Sequence, residues 1–135
     1  SMLAFEVDGL VRVRVITKEY HRDGDALVMR WSPASGIEVV TRLMPTPYGH
    51  LREHEVTSTV PCRAWDCGFA VPAERPEDAQ GICTVACNAE NGLEGTEELI
   101  KAAPNTNLMA PKTFIHAVRY EIPVGTSHFS TEVHE

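Results

Sequence analysis

Most of the short motifs that announce chemistry are missing from this sequence. It contains no G-x-S-x-G elbow, no P-loop and no dinucleotide-binding glycine fingerprint, which removes the commonest nucleophile and nucleotide sites. No apolar run approaches the roughly 20 residues that a membrane helix requires, so no membrane partner is expected. Positive charge is scarce: 12 Lys and Arg stand against 19 Asp and Glu, for a net charge of −7. A duplex nucleic-acid binder needs phosphate-neutralising cations on one face, and this balance argues against one. There are no internal repeats and no low-complexity tract. No charged-then-apolar leader opens the chain, which fits a cytoplasmic location.

Cysteine is also sparse. Cys62, Cys67, Cys83 and Cys87 are spaced C-x4-C and C-x3-C, which misses the C-x2-C pairs of zinc ribbons. Free, partly buried thiols are the expected state, ahead of a disulfide and of a metal site. Neither a metal nor another cofactor is expected.

What the sequence has in quantity is alternation. The 135 residues are 43% hydrophobic, enough for one packed core and too short for two. Ser1-Met2 reads as a cloning remnant, which leaves 3–135 as a single domain. Apolar residues recur at every second position, the repeat of a pleated strand. Val11, Val13 and Val15 alternate with arginines. Leu27, Met29 and Trp31 form a row, as do Ile37, Val39 and Leu43. Trp65, Cys67, Phe69 and Val71 are expected to share an inward face, as are Phe114, His116, Val118, Tyr120 and Ile122. Asp8-Gly9, Asp23-Gly24 and Asn91-Gly92 supply tight-turn chemistry between these runs. Short strands with breakers every 8–12 residues or so indicate an all-β antiparallel sandwich. Two stretches depart from this pattern. Residues 72–80 read as an acidic, proline-bearing loop, and residues 96–103 (TEELIKAA) have the composition of one short helix ended by Pro104.

Candidate chemistry begins with GHLREH. A strand reading puts His50, Arg52 and His54 along one face, with Leu51, Glu53 and Glu55 on the other. A His-Arg-His row can hydrogen-bond a carboxylate or a sugar; it can also be a solvated strand face, and the solvated reading is the expected one. Glycoside hydrolysis needs two acids at a set separation. Glu53, Glu55, Asp66, Glu97 and Glu98 are available, but none has a local context that marks it, and all read as surface charge. Trp31, Tyr48 and Trp65 could stack on a pyranose. Both tryptophans read as core and Tyr48 as exposed. Asn105 and Asn107, in the PNTNL loop, carry amides that could meet sugar hydroxyls or tie a crossover to its own backbone. No catalytic residue is assigned.

Taken in order, several motifs carry a resemblance: Trp31-Ser32-Pro33, Ile37-Glu38-Val39, Leu43-Met44-Pro45, Gly49 to His54, Gly68 to Val71, and PNTNL followed by Pro111-Lys112-Thr113. Together they resemble the C-terminal β-domain of the DUF2264 family, uncharacterised bacterial and fungal proteins. The N-terminal (α/α) toroid of that family is similar to uronide-acting glycoside hydrolases and heparinase-type lyases. The resemblance implies an accessory sandwich without independent catalysis, packed on a toroid that acts on acidic oligosaccharides. It places His50, Arg52, His54, Asn105 and Asn107 at the substrate rim or the domain interface. Two other classes stay open: a free-standing carbohydrate-binding module, and a small metal-dependent enzyme. An exposed aromatic platform would mark the first, and a stoichiometric metal the second.

Overall fold

A computed structural model describes residues 3–7, 9–12, 16–72, 75, 77, 84–89, 93–101 and 113–134. Among them are eleven strands: β1 (Leu3–Val7), β2 (Leu10–Arg12), β3 (Ile16–Asp23), β4 (Ala26–Ala34), β5 (Ile37–Thr46), β6 (Gly49–Ser58), β7 (Cys62–Pro72), β8 (Thr84–Ala89), β9 (Gly95–Lys101), β10 (Thr113–Ile122) and β11 (Gly125–His134). They form a five-stranded sheet in the order β2-β1-β7-β10-β9 and a six-stranded sheet in the order β3-β4-β5-β6-β11-β8. Every pairing is antiparallel. This is the sandwich that the period-two pattern predicts.

Strands β3 to β6 run as a meander because each link is short and turn-forming. Gly24 sits at φ 60° and Gly36 at φ 86°, conformations that residues with a Cβ rarely adopt. At Gly36 space is closed as well, since a Cβ would lie 2.5 Å from Thr59 Oγ1. The chain then changes sheets. β7 pairs with β1 and β10, and β11 pairs with β6 and β8. Consecutive segments therefore supply opposite walls of the same core.

That core is the space between the sheets. Leu3, Phe5, Ala64, Val118, Tyr120 and Ile122 face it from the smaller sheet, and Trp31, Ile37, Val39, Val56 and Phe129 from the larger one. Phe5 meets Trp31 edge-on with ring centroids 5.8 Å apart, and Tyr120 stacks on Phe129 at 4.2 Å. Each large side chain buried in this way stabilises the fold by about 1.5–3 kcal/mol relative to leaving it wet.

Two sequence expectations are corrected. Residues 95–101 form strand β9, fully paired with β10 from Gly95↔Tyr120 to Lys101↔Phe114, and not a helical turn. The helix-forming composition of EELIK is overruled because each of these residues pairs across the sheet with a β10 partner. The second correction concerns β7. Cys62, Ala64 and Asp66 are buried, whereas Trp65 is only half-buried, so Trp65 lies on the outer side. The register slips between Ile115↔Ala70 and Ala117↔Cys67, so two β7 residues oppose one of β10. Such a bulge breaks period-two counting beyond Cys67, so the face of Trp65 is read from its buried neighbours Ala64 and Asp66.

The expected loop at 72–80 and the PNTNL loop with Asn105 and Asn107 lie outside the described residues, apart from Pro72, Arg75 and Glu77. Val13 and Val15 lie outside them too, as does Cys83. No helix among the described residues is long and apolar enough to cross a membrane.

Candidate functional site

The His50-Arg52-His54 row exists, and it faces inward. Alternation along β6 buries Arg52, His54, Val56 and Ser58 while Glu53, Glu55 and Thr57 are exposed. Arg52 is 1% exposed and His54 2%, so the expected solvated face is corrected to a buried one. The physical reason stands opposite on β7. Asp66, 0% exposed, points between the sheets and meets both side chains: Arg52 Nη2 lies 3.4 Å from Asp66 Oδ1, and His54 Nε2 lies 3.3 Å from Asp66 Oδ2. Asp66 is thereby corrected as well, from surface charge to the central anion of the interior. A buried charge is tolerated only when paired.

The cluster continues into the larger sheet. Trp31 Nε1–H donates to Thr41 Oγ1 at 2.9 Å, and Thr41 Oγ1 lies 2.8 Å from His54 Nδ1. An indole can only donate, so it occupies one lone pair of the hydroxyl. The second lone pair and the hydroxyl hydrogen are both left for His54 Nδ1, which meets Thr41 as donor or acceptor according to its tautomer. Hydroxyl, imidazole and carboxylate follow one another in the order of a nucleophilic triad, although the His54–Asp66 contact is one of ion-pair distance without hydrogen-bond geometry. They lack its access, because Thr41, His54 and Asp66 are all buried. The arrangement joins β4, β5, β6 and β7 across the sandwich, and a reacting group has no approach to it.

His50 occupies the other end of the row. It lines a depression of about 410 Å3 with Arg22, Asp25, Leu27, Leu43 and Pro45. The row that the sequence singles out therefore runs from this rim to the centre of the core.

The acids are dispersed. Glu53 and Glu55 lie on the outer face of the larger sheet, beside Arg42 and His128, around a depression of about 440 Å3. Arg42 Nη1 also reaches Asp23 Oδ2 at 2.5 Å, and that hydrogen bond holds the Asp23 carboxyl below its usual range. Glu98 belongs to the outer face of the smaller sheet and Asp66 to the interior. These acids are not brought into one pair. Among the described residues no group of three or more His, Cys, Asp or Glu is arranged to hold a metal ion.

The outer face of the smaller sheet carries a second polar assembly, which the sequence reading missed. Trp65 Nε1–H donates to Glu98 Oε2 at 3.2 Å, and Arg119 Nη1 donates to the same oxygen at 3.4 Å. Arg63 Nε donates to Glu121 Oε1 at 2.6 Å, and Arg119 Nε lies 3.9 Å from that oxygen. The hydrogen bond to Glu121 raises the Arg63 pKa. Register explains the grouping, because Glu6↔Arg63↔Glu121 and Trp65↔Arg119 are direct cross-strand partners. Alternate polar positions Arg63, Arg119 and Glu121 were the available signal. An indole in step with them belongs to their face.

Cys62 is a free thiol at the end of β7, buried. Burial raises its pKa and Glu121 adds to the rise, against a hydrogen bond from Ser58 that opposes it. Tyr48 is exposed, as its turn position predicts, and Trp31 is buried.

No family model matches the chain, and no curated protein matches it. Among solved structures, a chain titled as a heparinase III gene product is similar, with a TM-score of 0.56 and 10% sequence identity. The match covers 96% of this chain and 23% of that one. At such identity the likeness is one of fold. The present sandwich corresponds to one part of a considerably longer protein.

Proposed function

We propose that this sandwich is an accessory domain of a longer carbohydrate-active protein and performs no catalysis of its own. One observation carries the reading: nearly the whole chain matches the fold of a minor part of a chain titled heparinase III. The chemistry of the interior supports it. In the His-Arg-His row, which could hydrogen-bond a carboxylate or sugar, Arg52 and His54 are taken up against Asp66 between the sheets, and Glu53, Glu55 and Glu98 occupy separate outer faces. In this reading the chain is the C-terminal domain of its parent, as in the DUF2264 resemblance. The catalytic groups stand on a helical toroid that takes uronate-containing sugars. His50, at the open end of the buried row, faces the partner domain or the rim of its cleft.

The test compares the product of the complete coding sequence with the isolated 135-residue chain on uronate-containing oligosaccharides, following reducing ends and the ultraviolet absorbance of unsaturated products. Turnover is expected from a longer product alone. Turnover by the isolated chain would overturn the accessory role.

A further inference from the structure

The outer face of the five-stranded sheet presents an aromatic ring at one end of a chain of hydrogen bonds and ion pairs. Trp65 is half-buried there, and its indole is fixed by Glu98, which is fixed in turn by Arg119. The charged groups around it stay within reach of solvent: the Arg63, Arg119, Glu98 and Glu121 side chains are 41%, 36%, 38% and 64% exposed. A pyranose is recognised by this combination, a flat ring against the apolar C–H side of the sugar and in-plane donors and acceptors for its hydroxyls. The arrangement is already assembled, so little ordering cost is left for binding.

Charge decides the class of sugar. Arg63 and Arg119 are each engaged by a carboxylate, and among the described residues Glu6, Glu98 and Glu121 outnumber them on this face. A polyanionic chain would meet net negative charge and guanidinium groups already neutralised. We propose that the Trp65 face is a binding platform for uncharged pyranose units. The proposal rests on the carbohydrate reading above and gives this domain a binding task distinct from its parent's chemistry.

The sequence makes the test direct, since it holds two tryptophans and Trp31 is buried. Xylohexaose, cellohexaose and mannohexaose, with a heparin-derived hexasaccharide as the acidic arm, are titrated against the intact chain by tryptophan fluorescence and calorimetry. At least one neutral hexasaccharide is expected to bind and to perturb Trp65 emission. Trp65→Ala weakens that binding roughly tenfold or more, the scale of one lost aromatic contact. Trp65→Phe keeps an aromatic ring and guards against a folding defect, with a smaller loss expected. Tyr48→Ala leaves the affinity unchanged. Binding by none of the neutral sugars, tighter binding of the heparin fragment, or binding indifferent to Trp65 each overturns the proposal. Catalysis by the isolated chain would sink the accessory reading and leave this result standing, whereas absence of sugar binding would do the reverse.

Discussion

Two of the places where arginine meets carboxylate across strands, one between the sheets and one on the outer face of the smaller sheet, share their charges and differ in their surroundings. Between the sheets, the Arg52 and Asp66 side chains are 2% and 0% exposed. On the outer face of the smaller sheet, Arg63 and Glu121 are 41% and 64% exposed. The outer pair has the better geometry, 2.6 Å against 3.4 Å, yet the inner pair matters more to the fold. Outside, water replaces whatever a broken pair loses, and the net contribution of such pairs is about 0–1 kcal/mol. Inside, water does not reach the pair to replace it. An ion pair therefore holds a fold through what its loss would expose, more than through the closeness of its contact.

Removing one inner partner sharpens this comparison most. Asp66→Ala leaves Arg52 as a buried cation without its carboxylate, and a loss of about 3–5 kcal/mol is expected in urea unfolding. The double substitution Arg52→Met with Asp66→Val stays close to the original volume and removes both charges, and it is expected to recover most of that loss. If the double variant is as unstable as the single one, uncompensated charge is not the cause. Thr41→Val comes next. It keeps the shape and deletes the hydroxyl between Trp31 Nε1 and His54 Nδ1, which strands two buried polar groups at a cost of about 1–3 kcal/mol. The same experiment reads Trp31 fluorescence, which should shift as its indole loses the acceptor.

The sequence made the architecture legible and misplaced the polar interior, for one reason. Period-two alternation identifies a strand without saying which side is wet, and that choice was made by assuming that charge faces water. In GHLREH the assumption failed. Val56 and Ser58 continue the Arg52, His54 row into the core, and that continuation was the usable signal. Asp66 could have been found in the same way, as a lone acid between Ala64 and the Cys67–Val71 run. What no local pattern supplied was the pairing of β6 against β7 across the sandwich, because a long-range contact leaves no trace in spacing. For Trp65 the difficulty was its grouping with the apolar positions that follow it: counted from the buried Ala64 and Asp66 it falls on the outer side, and the slip between Cys67 and Ala70 keeps later positions from indicating its face.

The outer region gives the smaller effects. Arg63→Ala is expected to cost less than about 1 kcal/mol, and less still in high salt, where exposed pairs are screened. A loss comparable to that of Asp66→Ala would erase the distinction between the two regions.

The smallest effect appears only in alkali, at Cys62, which lies between them: its thiol is buried, yet Glu121 of the outer face acts on it. Its pKa is raised in the folded state, first by burial and then by that negative charge, so the folded chain holds the thiol proton more tightly than the unfolded chain does. The resulting stability is fully present below the unfolded thiol value of about 8.5. It is lost as pH rises through the folded value, because the unfolded state ionises first. Wild type should therefore lose stability above that pH more steeply than Cys62→Ala, with parallel curves below it. Glu121→Gln should flatten part of the slope by removing the charge while leaving burial in place. If Cys62→Ala follows the wild-type curve throughout, burial at this position does not govern the thiol, and the boundary between inner and outer regions lies deeper than Cys62.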